Sequence, residues 1–250
     1  MIKSFLKLPI NFLDKCKVYP PSVNEVYGNN DYAYYHNIFT ISQEDIEDSY
    51  TEQNITLQPG ANYPTPFQFL LAQAYNDINS YEKVKEAFRF FCHEEITILF
   101  DRREIMLCDL EKKINKIEDM KELLEIPVIK EEDFLEFQNC VRESLGEERK
   151  EPPDPNIHPR KKAMLAKARL RDRIKAKSGK GISLETSIKA ICCMGIGLTP
   201  LNIGEISIAA VSEIINTYQK KEKYDIDIRN LLAGADSKKI KPKYWISNND

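Results

Sequence analysis

The sequence predicts a mainly α-helical protein in which a helical amino-terminal domain with a small β-hairpin is linked to a basic helical carboxy-terminal domain. Three observations predict this. Apolar residues recur at spacings of three and four along most of the 250 residues, and strand-like alternation is clear in one short stretch. Charge also changes sign along the chain. Residues 1–158 hold 17 Lys and Arg against 30 Asp and Glu, whereas residues 159–250 hold 19 against 9.

The sign of the charge changes at a proline-rich stretch, "EPPDPNIHPRKK". Prolines cannot donate backbone hydrogen bonds and favour extended conformations, so this stretch is typical of a linker. We therefore predict an acidic, mainly helical domain over 1–150, a linker over 151–159 and a basic helical domain over 160–250.

Helix starts in the acidic half are marked by capping residues. "SVNE" has capping-box spacing, and Thr65 is followed by Pro66, which favours the first helical position. We expect helices to begin at Ser22, Asn30, Ser42, Thr65 and Ser80. We expect the following residues to face inward from the later helices: Phe67, Leu70, Leu71, Ala74, Val84, Ala87, Phe88, Phe91, Phe134, Phe137, Val141 and Leu145.

The one clear strand signal lies near 95–108. Ile96, Ile98 and Phe100 alternate with polar residues, a turn follows at 101–103, and the chain returns through Ile105. This pattern predicts a β-hairpin. A charged helix is expected over 110–124, and a second helix over 131–146, where Gly146 is the expected cap.

A basic helix is expected at the start of the carboxy-terminal half. Residues 160–180 carry ten cations and one acid, Asp172, around a narrow apolar stripe of Ala163, Ala166, Leu170 and Ile174. We expect the helix to dock through this stripe while its cations face an acidic surface of the amino-terminal domain or of a partner. The candidate interaction residues are Arg160, Lys161, Lys162, Lys167, Arg169, Arg171, Arg173, Lys175, Lys177 and Lys180.

The remaining carboxy-terminal residues also predict helices. Ser183 is the expected cap of a helix that ends at Gly195. Thr199 and Pro200 then begin another helix, or a short turn that leads into "EISIAAVSEIINTY". Gly234 is expected to close the last helix.

Catalysis is not indicated by the sequence. His36, His93 and His158 have no Ser or Cys near them in a familiar local motif, and no His or Cys pair has the spacing of metal ligands. "SGKG" lacks the strand and first glycine of a phosphate-binding loop. We therefore expect no enzyme activity, no cofactor and no metal.

The cellular compartment is expected to be the cytoplasm. No apolar run approaches the roughly 20 residues that span a bilayer. The first residues do not resemble a signal peptide, because Lys7, Pro9 and Asp14 break their apolar stretch. The six cysteines are scattered, which favours reduced, mostly buried thiols. A membrane partner is not expected.

Nucleic-acid binding by residues 160–180 is the alternative function. Ten cations could neutralise several phosphates. However, the helix that would read bases, "EISIAAVSEIINTY", carries Glu205 and Glu213 and lacks the donors that base edges require. The acidic half of the chain also offers these cations a protein partner. Binding to nucleic acid is therefore the weaker hypothesis.

The carboxy-terminal residues "ICCMGIGLTPLNIGEISIAAVSEIINTYQKKEKYDIDIRNLLAGADSKKIKPKYWI" resemble the end of an uncharacterised family of tailed-bacteriophage and prophage proteins encoded among tail genes. The likeness covers 183–246, with the "LTPLNIGEI" helix start and "LLAGADSKKIKPKYWI" as its marks. A looser likeness covers 18–45, "VYPPSVNEVYGNNDYAYYHNIFTIS".

The resemblance implies a non-catalytic tail-assembly chaperone or tail-morphogenesis protein that acts in the host cytoplasm by protein–protein interaction. It implies phage tail or assembly proteins as partners, with a homo-oligomer as a further option. It transfers no functional residues, because the family offers no catalytic motif.

Overall fold

The structure, a computed structural model, describes residues 2–55, 57–58, 61–110, 125–152, 156–177, 183–234 and 240–245. In these residues the chain is mainly helical, which confirms the predicted fold class. The helices are α1 (Ile2–Phe5), α2 (Val23–Tyr27), α3 (Tyr32–Thr40), α4 (Gln43–Glu52), α5 (Pro66–Asn76), α6 (Ile78–Cys92), α7 (Glu131–Ser144), α8 (Pro159–Lys177), α9 (Leu184–Cys193) and α10 (Ile208–Leu232). The strands are β1 (Ile10–Phe12), β2 (Cys16–Val18), β3 (Thr97–Leu99), β4 (Glu104–Met106) and β5 (Val128–Ile129).

Three predicted caps, Ser22, Ser42 and Thr65, are confirmed. The side-chain oxygen of each accepts the backbone N–H three residues later, and the side chain at that later position reciprocates. These reciprocal bonds satisfy two otherwise unpaired donors at each helix start. The starts of α2, α4 and α5 are therefore determined locally by the sequence.

Two predicted caps, Asn30 and Ser80, are wrong. The cap of α3 is Asp31, whose carboxylate accepts from Lys83 Nζ at 2.7 Å instead of from its own helix. The cap of α6 is Asp77, whose Oδ1 accepts the backbone N–H of Ser80 at 2.8 Å. Ser80 therefore lies in the first turn of α6.

The larger core lies between α3, α5, α6, α7 and the strands. At its centre the Phe88 ring stacks on the Phe137 ring with centroids 5.2 Å apart, and Phe39 meets both rings edge-on. Such aromatic contacts add to the stabilisation from burial. All twelve residues predicted to face inward from α5, α6 and α7 are buried, as expected.

The predicted β-hairpin is confirmed. β3 and β4 are antiparallel, with Ile98 opposite Ile105, and β5 adds a third strand that the sequence pattern does not predict. A second hairpin pairs β1 with β2 near the amino terminus. The charged helix predicted over 110–124 lies almost entirely outside the described residues.

A second, smaller core crosses the predicted domain boundary. It combines Val23 and Val26 of α2 with Ile191 of α9 and with residues at the start of α10. Two backbone hydrogen bonds of 3.0 Å reinforce it, from Val23 to Ile206 and from Ile208 to Pro21. The carboxy-terminal helices α9 and α10 thus pack on the amino-terminal half, and the division at 151–159 stays a prediction.

The end of α7 lies close to the start of α10. The cap of α7 is Leu145, and Gly146 follows it with a positive φ of 76°. A Cβ on Gly146 would lie 2.9 Å from the Cα of Ala209, closer than packed atoms approach. Gly146 therefore lets two helices from opposite halves of the chain touch through their backbones.

The predicted start and end of α9 are confirmed, and α10 extends well beyond the segment "EISIAAVSEIINTY". Ser183 caps α9, and Gly195 follows its end with a φ of 69°. Thr199 and Pro200 form a turn that leads through a 3₁₀ segment, Ile203–Glu205, to α10, whose cap is Ser207. α10 then continues for 25 residues as one helix. No helix in the described ranges is long and apolar enough to cross a membrane.

Candidate interaction surface

The basic segment forms a helix that begins at a proline, a residue well suited to the first helical position. Its apolar stripe is not what attaches it to the molecule. Leu170 is 48% exposed, Ala163 is exposed and Ala166 is half-buried. The predicted docking through this stripe is therefore wrong at Ala163 and Leu170, and Ile174 lies outside the described side chains.

An ion pair attaches α8 to the acidic helix α4. The Arg169 Nε donates to Asp48 Oδ2 at 3.0 Å, and its Nη2 donates to Oδ1 at 3.3 Å. This two-point geometry suits a guanidinium and a carboxylate. The hydrogen bond to Asp48 is the main cause of a raised Arg169 pKa, and the charges of Glu44 and Asp45 add to it.

The opposite side of α8 faces solvent. Arg160, Met164, Lys167 and Arg171 follow one another at spacings of four, three and four, which places them along one side of a helix. All four are exposed, and Met164 is 73% exposed. We call these four residues the outer face of α8. At 1.5 Å per residue it is about 16 Å long.

The ten predicted interaction residues therefore divide into groups. Arg169 contacts the acidic helix of its own chain, three residues belong to the outer face, and Lys161 is exposed beside them. Lys162, Arg173, Lys175 and Lys177 have side chains outside the described part, and Lys180 lies wholly outside it.

The histidines have separate surroundings in the structure. His36 Nε2 lies 2.7 Å from Glu147 Oε1, the His93 ring stacks on Tyr19 with centroids 4.2 Å apart, and His158 accepts the backbone N–H of Arg160. Across the described residues, no group of three His, Cys, Asp or Glu side chains could hold a metal ion.

The thiols are less uniformly buried than expected. Cys16, Cys92 and Cys140 are buried, and burial raises the pKa of Cys92 well above its ordinary value, with Cys16 beside it adding to the effect. Cys108 and Cys192 are half-buried, and Cys193 is exposed. A high thiol pKa disfavours the reactive thiolate, so the Cys92 thiol is a poor nucleophile.

The pairing of Arg169 with Asp48 is not predicted by any pattern noted above. A signal for it exists, because "QEDIEDSYTE" in α4 holds five acids in ten residues. The exposure of Met164 is likewise not predicted, because it depends on which side of α8 the Arg169–Asp48 ion pair turns toward α4.

Residues 175–250 match a protein family described as "YomV second domain", which is a phage-associated domain family. The match includes α9, α10 and the described tail, and it contains the 183–246 region in which the sequence resembles phage proteins. It confirms the likeness of this part of the chain to a phage-associated family. The outer face of α8 lies before the matched region. Searches of curated proteins and of solved structures found no match to the chain.

Proposed function

We propose that this protein acts in bacteriophage or prophage tail assembly, as a chaperone or morphogenesis protein without catalytic activity. It acts in the host cytoplasm by protein–protein interaction, and its partners are phage tail or assembly proteins. The phage-associated family match over 175–250 supports the phage setting.

The outer face of α8 is the observation that carries this proposal. The ion pair between Arg169 and Asp48 holds the opposite side of the helix to the body of the protein, which leaves three cations and Met164 free to meet a partner. An exposed methionine adapts to irregular apolar surfaces. A partner helix or loop with acids around a small apolar contact matches this combination.

Nucleic acid is the competing partner for the same cations. Phosphates would pair with Arg160, Lys167 and Arg171, but Met164 at the middle of the face would gain little from a phosphate backbone. Duplex binding through three cations would also weaken steeply as salt rises. The two proposals therefore predict different salt responses and different partners.

The test compares the capture of partner proteins by two matched variants. The first, R160Q/K167Q/R171Q, removes the outer-face charges, and the control, K17Q/K220Q/K223Q, removes three exposed lysines elsewhere. Each tagged protein is purified with its neighbours from the same gene cluster. Exposed ion pairs typically contribute about 0.2–1 kcal/mol each, so the first variant should lose about 3- to 160-fold in affinity. The control should bind normally.

Normal partner capture by R160Q/K167Q/R171Q would contradict the proposal. A second measurement tests binding to random-sequence DNA duplex at low and physiological salt. Retained affinity at physiological salt with a steep salt slope, lost in the same variant, would favour the nucleic-acid function instead.

A further inference from the structure

A pocket of about 230 Å³ lies where the first turns of α4 and α5 meet α7. Its walls are apolar, and the rings of Phe67 and Phe134 in them are almost fully buried. Pro66 and Leu135 complete these walls. The outer face of α8 contributes nothing to the lining, so this pocket is independent of the proposed protein-binding surface.

A buried arginine belongs to the lining of this pocket. Arg142 is 6% exposed, and its Nη1 donates to Glu147 Oε2 at 3.4 Å. Within the described part of the chain, Glu147 is its one polar partner, and that carboxylate already takes a shorter bond of 2.7 Å with His36. Since a guanidinium has five N–H groups, most donors of Arg142 remain available to a ligand.

The electrostatics of Arg142 favour an incoming anion. Burial lowers the pKa of Arg142, and the acids Glu147 and Asp45 offset that effect in part. A buried cation with incomplete compensation gains free energy when a carboxylate reaches it. The unpaired N–H groups of Arg142 and its partly compensated charge therefore both favour binding of an anion.

The other polar groups of the pocket are mostly engaged or exposed. Gln138, also buried, donates to the Ile41 carbonyl at 2.8 Å, and Glu131 accepts from Thr65 and Gln68. Lys150 and Glu151 are exposed at the rim. Glu44, a further charged residue of the lining, is half-buried, so Arg142 is the one fully buried charge among the described residues that line this pocket.

We propose that this pocket binds a carboxylate carried on a small apolar body. The carboxylate pairs with the free donors of Arg142, and the apolar body contacts Phe67, Phe134 and Leu135. Pockets for drug-sized ligands measure about 300–1,000 Å³, so this smaller one fits a group of side-chain size. A free monocarboxylic acid and the carboxy-terminal residue of a peptide both present this chemistry.

The direct test measures binding to the full-length protein by NMR chemical-shift changes. The probe is 4-methylpentanoate, and its carboxamide is the matched neutral control. We expect a dissociation constant on the order of 1 mM for the acid. The amide should bind at least about tenfold more weakly, because it loses the charge-assisted bonds to Arg142.

A second pair of probes distinguishes the two sources of the carboxylate. The peptide Gly-Gly-Leu is compared with the same peptide amidated at its carboxy terminus. Tighter binding of the free peptide than of 4-methylpentanoate supports the proposal with a peptide terminus as ligand. Binding of the small acid alone supports it with a free acid as ligand.

Two variants locate the binding at this pocket. R142M removes the guanidinium, and L135W fills the pocket while keeping Arg142 paired with Glu147, so a loss in both cannot come from a disrupted ion pair. Each should raise the dissociation constant about tenfold or more. E132Q, an exposed change on the same helix, should bind as the unchanged protein does. Equal binding of acid and amide, or unchanged binding in both pocket variants, overturns the proposal.

Discussion

At the scale of single residues, Gly146 combines a positive φ with a close approach to the backbone of another helix. Its φ of 76° suits glycine, and an added Cβ would lie 2.9 Å from Ala209 Cα. Gly146→Ala combines left-handed backbone strain with overpacking, so we expect a loss of about 2–4 kcal/mol in unfolding free energy. Urea denaturation of the variant and the unchanged protein measures it.

Gly234→Ala is the matched control for this prediction. Gly234 also has a positive φ, of 92°, but nothing lies within 4 Å of an added Cβ. The control should therefore lose only the backbone contribution, about 1–2 kcal/mol. Equal losses at the two glycines would contradict the close contact between α7 and α10.

The pairing of Glu147 predicts a pH dependence of stability. Burial acts to raise the pKa of Glu147, but the hydrogen bond to His36 and the charges of His36 and Arg142 bring it below its ordinary value. A lowered pKa contributes stability that is fully present above the unfolded value of about 4.3 and is lost as pH falls through the folded value.

Glu147→Gln tests this pH dependence, because glutamine cannot titrate. Urea unfolding at pH 7 and pH 3 should show a smaller loss on acidification for the variant than for the unchanged protein. Other carboxylates with lowered pKa values, such as Asp133 beside Lys15, remain in both proteins and cancel in the comparison. An identical loss in the two proteins would show that Glu147 is not stabilised in its charged form.

Residue-level features were predictable where they depend on near neighbours. Capping by Ser42 and burial of Phe137 follow from the order of residues within one helix. Asp31 could not be distinguished from Asn30 as a cap, because both can accept the same bond and the choice depends on packing against α6. The pairing of Arg142 with Glu147 was not predictable either, because it depends on tertiary structure.

At the scale of elements, the segment between α7 and α8 should be the first to be cut by protease. Both backbone polar groups of Lys150 bond to the Asn139 side chain, at 2.8 and 3.0 Å, which protects that residue. Arg160 and Lys161, in the first turn of α8 where this segment ends, are exposed. Limited trypsin digestion followed by mass spectrometry should therefore show first cleavage near residue 160. First cleavage in the hairpin near 95–108 would contradict this order.

Among the secondary-structure elements, the shortest strands could not be predicted from the sequence. The hairpin of β3 and β4 shows its alternation over enough residues to be recognised. β5 has only two residues, Val128 and Ile129, which is too short for any period to appear. Its pairing with β4 arises from the folded arrangement rather than from a local pattern.

At the scale of the whole molecule, the second core should make the two halves unfold together. Ile191 is fully buried beside Val23 and Val26, so Ile191→Ala should cost about 2–5 kcal/mol. Ile226→Ala, at a 53% exposed position of α10, should change stability little. Urea unfolding followed by Trp245 fluorescence and by far-ultraviolet circular dichroism should give coincident transitions. A separate, earlier fluorescence transition would indicate that the carboxy-terminal part unfolds alone.

The second core joins side chains near the amino terminus to side chains from much later in the chain, so its members are synthesised at different times. A ribosome adds about 5–20 residues per second, so Val23 and Val26 wait on the order of 10–40 s before Ile203 and Ile208 emerge to cover them. During that interval a nascent chain exposes apolar side chains to other nascent copies. Because slower elongation lengthens this interval, slowing elongation at an unchanged number of nascent copies should increase aggregation, whereas faster elongation should raise the yield of native protein.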